Sequence, residues 1–316
     1  MFTRYSVFME TLKDIGEQEA IRRILHLLGN HPDLAVKAGD DCAVCHVPGA
    51  EKDQVFTTDP IIENVHFLPS DDPKRVGHKA AGRVLSDIAA MGAQPQWILV
   101  NVVAPEEQKF QSLEDIYKGM ISLCNRFGAT IVGGDLSRGP CLELHVFGTG
   151  VLPAGSALLR SGARPGDTIF VTGALGSSRT GKHLDFIPRV EEGICLRQSG
   201  VVSAMMDISD GLATDLRHLL KQSGVGAELD AGSIPKLGTL EQALYDGEDF
   251  ELLFTIPADC IDAVYKGWKA SYDSELFPIG QINSETEVLK IRSSKGEISN
   301  LECRAFEHFT EVRKPE

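Results

Sequence analysis

The chain lacks three features, and each absence excludes a class of function or binding site before any motif is considered. Basic residues are too few: 31 lysines and arginines stand against 45 aspartates and glutamates, for a formal charge of −14. Binding a phosphate backbone needs a basic surface, so we expect no nucleic-acid partner. No apolar run is long enough to cross a bilayer, and the first ten residues lack the apolar core of a signal peptide. We therefore expect a cytoplasmic protein with no membrane partner, whose true start could be Met1 or Met9.

The third lack is of paired cysteines. The seven cysteines are scattered, at positions 42, 45, 124, 141, 195, 260 and 303, which indicates reduced thiols. C-A-V-C-H at 42–46 fits the spacing of haem attachment. Its short, β-branched character predicts a strand, on which residues three apart face opposite sides. We therefore expect neither haem nor zinc, and we interpret Cys42 and Cys45 as packing residues.

What the chain does contain is an alternation of helix and strand patterns over 316 residues, enough for two domains. Helices are predicted at 15–28, 76–91, 113–127, 212–222 and 261–269. Strands are predicted at 43–47, 55–58, 97–103, 130–133, 142–151, 168–172, 204–208 and 251–256. A turn-rich seam around 153–155 separates the two halves. The predicted fold class is α/β (α+β), with an N-terminal domain at 1–152 and a C-terminal α/β domain at 153–316.

Acidic residues recur where apolar runs end. V-F-T-T-D and A-T-I-V-G-G-D each end in an acid, and A-M-M-D-I-S-D-G carries two; these acids are Asp59, Asp135, Asp207 and Asp210. Carboxylate oxygens are the ligands that Mg²⁺ prefers. Gly133 and Gly134 predict a turn that lets the backbone approach a phosphate. Clustered acids with such a turn are the equipment for phosphoryl transfer.

Some of these positions have structural alternatives. Ser209 or Asp210 could cap the helix that follows them. Asp87 leans toward the apolar side of its helix, where a buried carboxylate needs a partner. That partner could be a metal ion, or it could be Arg83 or Lys79 in a salt bridge.

Two further segments attract interest. G-S-S-R-T-G-K-H at 176–183 is one residue from the P-loop pattern, but His183 replaces the hydroxyl that would hold Mg²⁺. We interpret this segment as a glycine-rich loop with its role open. G-E-D-F-E at 247–251 groups three acids, for which a solvated loop is the alternative. His66 follows the T-T-D-P turn, close to the predicted acid cluster.

Taken in order, the motifs resemble those of the thiamine-monophosphate kinase family, of the superfamily that includes aminoimidazole-ribonucleotide synthetase. They are G-D-D-C-A-V, T-T-D-P-I-I-E-N-V-H-F, L-S-D-I-A-A-M-G-A-Q-P, G-G-D-L-S-R-G, R-S-G-A-R-P-G-D, D-I-S-D-G-L and G-E-D-F-E-L-L-F, and the match runs from about residue 15 to Phe309. The resemblance implies direct, in-line transfer of the ATP γ-phosphoryl group to thiamine monophosphate, which gives thiamine diphosphate without a side-chain nucleophile. It also implies the two-domain aminoimidazole-ribonucleotide-synthetase-like fold, in a homodimer whose N-terminal domains form a shared sheet or barrel.

By motif position, the resemblance implies three sets of site residues. The metal shell, for several Mg²⁺ ions, comprises Asp41, Thr57, Thr58, Asp59, Asp87, Asp135, Asp207 and Asp210. The ATP contacts are Tyr117, Gly134, Asp135, Arg160 and Ser209, of which Tyr117 would reach the nucleotide of the neighbouring subunit. The thiamine-phosphate contacts are His66, Glu248 and Phe306. The number of metal ions and the participation of a monovalent cation stay open.

The chain departs from the family pattern in places. Val84 stands where Asn is usual, Asp246 where Gly is usual and Phe250 where Tyr is usual, and the loop at 181–189 has an uncommon form. Two alternatives therefore stay open. One is another enzyme of the superfamily, an aminoimidazole-ribonucleotide synthetase or a hydrogenase-maturation enzyme. The other is a nucleotide- or metal-binding module without turnover, for which Val84 is the one hint.

Overall fold

The computed structural model describes residues 10–36 and 38–302. The helices are α1 (Leu12–Leu25), α2 (Pro73–Ala90), α3 (Phe110–Arg126), α4 (Val190–Ser199), α5 (Leu212–Ser223), α6 (Leu240–Tyr245) and α7 (Ile261–Ser271). The first sheet contains β1 (Leu34–Val36), β2 (Ala43–His46), β3 (Lys52–Ile62), β4 (Gln94–Ala104), β5 (Thr130–Arg138) and β6 (Glu143–Pro153). The second contains β7 (Thr168–Val171), β8 (Ala204–Asp207), β9 (Gly226–Asp230), β10 (Leu252–Ile256), β11 (Phe277–Asn283), β12 (Leu289–Arg292) and β13 (Ile298–Asn300). No helix in these ranges combines the length and apolarity needed to cross a bilayer.

The first sheet has strand order β1-β2-β3-β6-β4-β5 and is antiparallel except for the β4–β5 pair. Every second residue of β6 is buried, because α2 packs against one face of the sheet. The other face is more open. On it, β4 exposes the large apolar side chains of Trp97 and Leu99. The edge strand β5 is exposed along its length, including Val132 and Leu136.

Helix α2 lies at the centre of the molecule. Asp72 caps its first turn by accepting a hydrogen bond from the Lys74 N–H, and a proline follows at the first helical position. Its close contact with α3 depends on a glycine on each side. A Cβ on Gly77 would lie 1.9 Å from the Ile116 carbonyl oxygen, and one on Gly119 would lie 1.9 Å from the Lys74 carbonyl oxygen. The two helices therefore touch backbone to backbone.

The second sheet has strand order β13-β12-β9-β11-β7-β10-β8. Strands β7, β8 and β10 are buried on both faces, which explains their continuous apolar sequences. Strand β8 also lies beside α2, and one apolar core includes Val84 of α2 together with Phe170 and Phe254 of the second sheet. The two halves of the chain therefore share packing, with α2 between them.

The predicted mixed α/β class is confirmed, and most predicted elements are found. Two local predictions are wrong. The first helix begins at Leu12 rather than residue 15, ends at Leu25 and is interrupted at Gly16, whose φ of 73° is not helical. Strand β5 does not stop at Gly133 but continues to Arg138, so no turn forms at Gly133–Gly134. The domain boundary at 152/153 stays a prediction.

Candidate active site

Three acids from distant parts of the chain meet beside α2. Asp41 precedes β2, Asp87 lies on α2 and Asp207 ends β8, and one ligand oxygen of each lies within 4.8 Å of the others. We call these three residues the acid group. Burial is the main cause that raises the pKa of Asp87 well above its ordinary value, and the nearby carboxylates raise it further. Burial, then Asp41, raise the pKa of Asp207 to about 7. Such crowding favours a bound cation with oxygen ligands.

Each acid is held by a partner from another segment. The Thr57 hydroxyl donates to Asp87 Oδ2 at 2.5 Å, and the Ser86 hydroxyl donates to Asp207 Oδ2 at 2.6 Å. Arg160 Nη2 donates to Asp41 Oδ1 at 2.6 Å. The other oxygen, Asp41 Oδ2, is buried and has no hydrogen-bond partner among the described residues. An orphaned carboxylate oxygen on a residue that lies beside two other acids fits a divalent metal ion.

A line of charged residues leads away from the acid group along α2. Lys79, Arg83 and Asp87 are spaced four residues apart and so share one helix face. Arg83 donates to both oxygens of Asp59, at 2.8 and 3.0 Å, and lies 3.5 Å from Glu248 Oε1. Lys79 Nζ lies 2.6 Å from Glu248 Oε1. These cations are paired with Asp59 and Glu248, so the salt bridge considered for Asp87 is not found in the described part of the chain.

A cleft of about 520 Å³ lies beside this line of charges. Its lining includes the two predicted thiamine-phosphate contacts His66 and Glu248, as well as Arg83, His183, Ser209 and Asp210. Through Arg83, the cleft is continuous with Asp59 and thus lies close to the acid group. The structure therefore brings a candidate metal site and a candidate acceptor site together.

The segment 247–251 is strained and firmly held. Glu248 and Phe250 have positive φ angles of 55° and 51°, which non-glycine residues rarely adopt. The Glu248 N–H compensates by donating to the Ser209 carbonyl at 2.7 Å. Asp249 and Glu251 are only 1% and 4% exposed. The solvated loop considered from the sequence is therefore wrong, and the backbone strain serves to place Glu248 on the cleft wall.

The P-loop-like segment does not use its lysine for phosphate. Lys182 Nζ donates to the Ala174 carbonyl at 2.9 Å and lies 3.6 Å from Asp249 and 3.8 Å from Glu251. Its charge is thus neutralised by residues of the second half of the chain. The next residue, His183, lines the cleft instead.

The segment before α5 is not a helix cap. Gly211, with φ of 105°, occupies the N-cap position, and no side chain caps this helix, so the capping role considered for Ser209 or Asp210 is wrong. Sequence analysis missed Asp215, which is buried and accepts a hydrogen bond from the Asp210 N–H at 3.0 Å. Burial, then Asp210, raise its pKa well above the ordinary value. In the sequence, Asp215 resembled an ordinary first-turn acid.

Two predicted site residues lie on the edge strand β5. Asp135 is exposed and accepts a hydrogen bond from the Ser137 hydroxyl at 3.1 Å; it is not part of the acid group. Gly134 is needed for strand pairing, because a Cβ there would lie 1.8 Å from the Val100 carbonyl oxygen. The predicted phosphate-approach turn is thus replaced by a strand that pairs closely with β4.

Other predicted residues are not brought to the acid group within one chain. The Thr58 hydroxyl donates to the Val146 carbonyl at 3.1 Å, which turns it toward β6. Tyr117 packs from α3 against the first apolar core. Val84, which stands where the family usually has Asn, is fully buried over Gly148. An added Cβ on Gly148 would lie 2.1 Å from the valine Cγ1, so Val84 serves the packing of the core. Phe306 lies outside the described residues.

The cysteine pattern that resembled a haem site has a structural role. Cys42 is buried in the first core, whereas Cys45 is half-buried on β2. His46 Nδ1 lies 2.8 Å from Asp53 Oδ1. Cys42, just before the strand, and Val44 within it are both buried, whereas Cys45 on the other face is half-buried, as the strand interpretation predicts.

Comparison with known proteins places this site in a family. Residues 39–152 match the N-terminal domain, and residues 187–288 the C-terminal domain, of the AIR synthase related proteins. The thiamine-monophosphate kinase of Salmonella typhimurium is 38% identical over 256 residues, which cover 71% of this chain and 77% of that one. The chain belongs to the thiamine-monophosphate kinase family. It is therefore a kinase.

Other members of the thiamine-monophosphate kinase family agree over greater lengths. The enzyme of Escherichia coli K12 is 32% identical over 88% of this chain and 93% of its own. The solved structure of AaThiL complexed with AMPPCP and TMP is 30% identical, covers 96% of this chain and all of that one (100%), and superposes with a TM-score of 0.81. The AIR-synthase-like fold implied by the resemblance is thus confirmed.

Proposed function

We propose that the chain phosphorylates thiamine monophosphate to thiamine diphosphate, with ATP as phosphoryl donor and Mg²⁺ as cofactor. The observation that carries the proposal is the meeting of the acid group with a cleft lined by His66 and Glu248. The family relationship supports the substrate, since the similar enzymes are named for thiamine monophosphate. Burial of Val84 in the core leaves the module without turnover unsupported.

We assign Asp41, Asp87 and Asp207 as metal ligands, with Asp41 Oδ2 as the oxygen in need of a cation. Bound Mg²⁺ would offset the charge that gathers when two anionic substrates meet. The remaining residues of the proposed shell are Thr57, Thr58, Asp59, Asp135 and Asp210. Thr57 supports it by fixing the Asp87 carboxylate.

The chain's own residues would position and neutralise the phosphates. Arg160 is tied to Asp41 through its side chain and to Asp40 through its backbone N–H at 3.2 Å, so its guanidinium is held next to the acid group. We assign it, with Ser209, to ATP. A phosphate acceptor is already ionised at neutral pH, so the transfer needs alignment and charge stabilisation but no side-chain base. The transfer is proposed to be direct and in line.

We also propose a homodimer formed through the first sheet. Trp97 and Leu99 on the open face of β4, and Leu136 on the edge strand β5, are exposed apolar side chains that water disfavours. Pairing of two such surfaces would bury them and would bring Gly134, Asp135 and Tyr117 to the neighbouring subunit's nucleotide. This arrangement accounts for the exposure of Gly134 and Asp135 on the single chain.

A panel of acceptors tests the proposal. The purified chain, ATP and Mg²⁺ are incubated separately with thiamine monophosphate, formylglycinamidine ribonucleotide and a carbamoylated peptide, and products are separated by chromatography. Thiamine diphosphate should form only in the first reaction and should disappear with EDTA. Product from another acceptor, with none from thiamine monophosphate, would support the superfamily alternatives. ATP binding without product from any acceptor would support the non-catalytic alternative.

A further inference from the structure

The buried end of Lys79 organises one wall of the cleft. The residue is 0% exposed, and its ammonium carries three protons. It lies 2.6 Å from the His66 carbonyl oxygen, 2.8 Å from His183 Nδ1 and 2.6 Å from Glu248 Oε1. Two hydrogen bonds and one ion pair, from three separate segments, thus hold the ammonium. Lys79 therefore sets the positions of the residues that face the cleft.

These contacts decide which nitrogen of His183 carries the proton. An ammonium can only donate, so Nδ1 must accept, and the proton of the neutral imidazole is on Nε2. Burial, then Lys79, lower the pKa of His183, which favours the neutral ring. Within the described residues Nε2 has no hydrogen-bond partner, yet it is not sealed from solvent, and the ring lines the cleft. The chain thus presents one fixed N–H donor to the cleft.

Helix geometry places this donor at the end of the cleft far from the acid group. Lys79 precedes Asp87 by eight residues, which corresponds to about 12 Å along a helix. Between Lys79 and Asp87, Arg83 lies on the same face of α2, and Glu248 contacts both Lys79 and Arg83. A group that meets His183 is therefore remote from the reacting phosphate. In thiamine monophosphate, the aminopyrimidine ring is the part most remote from the phosphate.

We propose that His183 is a specificity residue whose Nε2–H donates a hydrogen bond to a ring nitrogen of the acceptor's aminopyrimidine, with Lys79 as the positioning residue that fixes its tautomer. The inference rests on the proposed function and deepens it. It assigns a task to the loop at 181–189, which differs from the usual form in the family. The ligand class is a phosphate ester with a hydrogen-bond-accepting heteroaromatic ring at its far end.

The loop that carries His183 is held rigidly enough for this role. Arg75 on α2 donates to the Gly181 carbonyl at 3.1 Å and forms an ion pair with Asp185. The ring of Phe186 lies directly over Gly82, where an added Cβ would come within 2.7 Å of it. The loop is thus fixed to α2 on both sides of His183.

Two substitutions test the roles of the two nitrogens of His183 independently. The side-chain oxygen of asparagine reaches the position of Nδ1, so His183→Asn keeps an acceptor for Lys79 but loses the outer donor. Glutamine places its amide near Nε2, so His183→Gln keeps the outer donor but not the acceptor. The exposed His31, substituted by asparagine, is the matched control.

Steady-state kinetics and a truncated competitor test the proposal. His183→Asn should raise the KM for thiamine monophosphate roughly tenfold, as expected for one lost hydrogen bond, with kcat and the KM for ATP unchanged. The competitor, hydroxyethylthiazole phosphate, lacks the pyrimidine and should inhibit the parent and His183→Asn with the same Ki. His183→Gln should recover most of the affinity, and His31→Asn should match the parent.

Other outcomes overturn the inference. An unchanged KM in His183→Asn would remove His183 from recognition. An equal loss of affinity for substrate and competitor would show that the residue only supports the cleft. A parent chain that makes no thiamine diphosphate would remove the proposed function, and this inference with it, whereas a failure confined to His183→Asn would leave that function intact.

Discussion

The carboxylate of Asp87 lies among like charges in the protein without metal. Burial, Asp59 and Asp207 all disfavour its ionised form, and the hydrogen bond from Thr57 only partly offsets them. Sequence analysis correctly identified this acid as unusual, because its place on an apolar helix face is visible from spacing. It could not find Ser86 or Asp215, since neither their burial nor their partners follow from local pattern.

Replacing Asp87 by Asn should preserve the fold and make the metal-free protein more stable. The substitution removes one charge from the acid group, so the melting temperature without Mg²⁺ should rise by several degrees. Added Mg²⁺ should then stabilise the variant less than the parent, because ligand binding stabilises only in proportion to affinity. Thermal unfolding with and without Mg²⁺ measures both effects. Asp273→Asn, on the surface, is the control, and equal Mg²⁺ shifts in Asp87→Asn and parent would contradict the ligand assignment.

The stability of the metal-free protein should depend on pH in a defined direction. The folded-state pKa of Asp207 is raised to about 7, and that of Asp87 is raised as well. Between an unfolded pKa of about 3.9 and these values, the folded chain binds more protons than the unfolded chain, so stability falls as pH rises. Chemical denaturation at pH 5 and pH 7.5 in EDTA measures this. A stability that rises over that interval and is insensitive to Asp207→Asn would contradict the account.

At the scale of elements, α2 contributes side chains to both parts of the site, the cleft and the acid group. Its stripe of Lys79, Arg83 and Asp87 spans the cleft and the acid group, and the four-residue spacing was present in the sequence. The role of Lys79 could still not be predicted, because Glu248 and His183 reach it from distant segments. Similarly, the backbone pairing that carries β5 past Gly134 is set by β4 and has no local signal.

The contact between α2 and α3 gives an element-scale prediction. Gly77→Ala would place a methyl group 1.9 Å from the Ile116 carbonyl oxygen, so the helices must separate. Overpacking of this kind typically costs about 1–3 kcal/mol. Gly267→Ala on α7 is the matched control, because nothing lies within 4 Å of its added methyl, and it should stabilise by about 0.5–1 kcal/mol. Urea unfolding compares them; equal effects would argue against a tight α2–α3 contact.

At the scale of the whole molecule, the acid group exists only because β8 of the second half packs against α2 of the first. The order of motifs indicated the family and hence this fold, but periodicity and spacing alone could not place Asp41, Asp87 and Asp207 together. The same limit applies to the open face of the first sheet. Its apolar strands were predicted, whereas the exposure of Trp97 and Leu99 depends on how the sheet is covered.

Association of two chains should depend on the open face of the first sheet and on its exposed edge strand β5. Leu136 is 66% exposed on the edge strand, and Leu136→Lys would place a charge in the proposed contact. The parent should elute from light-scattering chromatography as a dimer of 34.3 kDa chains, and the variant as a monomer with an unchanged circular-dichroism spectrum. Leu237→Lys, an exposed leucine in the second half, should stay dimeric. A monomeric parent, or a dimeric Leu136→Lys, would contradict the proposed interface.

The central claim is that the acid group and the adjoining cleft together convert thiamine monophosphate into thiamine diphosphate. The most direct test is the rate of thiamine diphosphate formation from ATP, followed over a Mg²⁺ titration for the parent, Asp87→Asn and Asp273→Asn. We expect a Mg²⁺-dependent rate in the parent and in Asp273→Asn, and a loss of at least about a hundredfold in folded Asp87→Asn, typical of losing a group that stabilises transition-state charge. A parent that forms no thiamine diphosphate, or an Asp87→Asn variant with parental turnover at limiting Mg²⁺, would contradict the account.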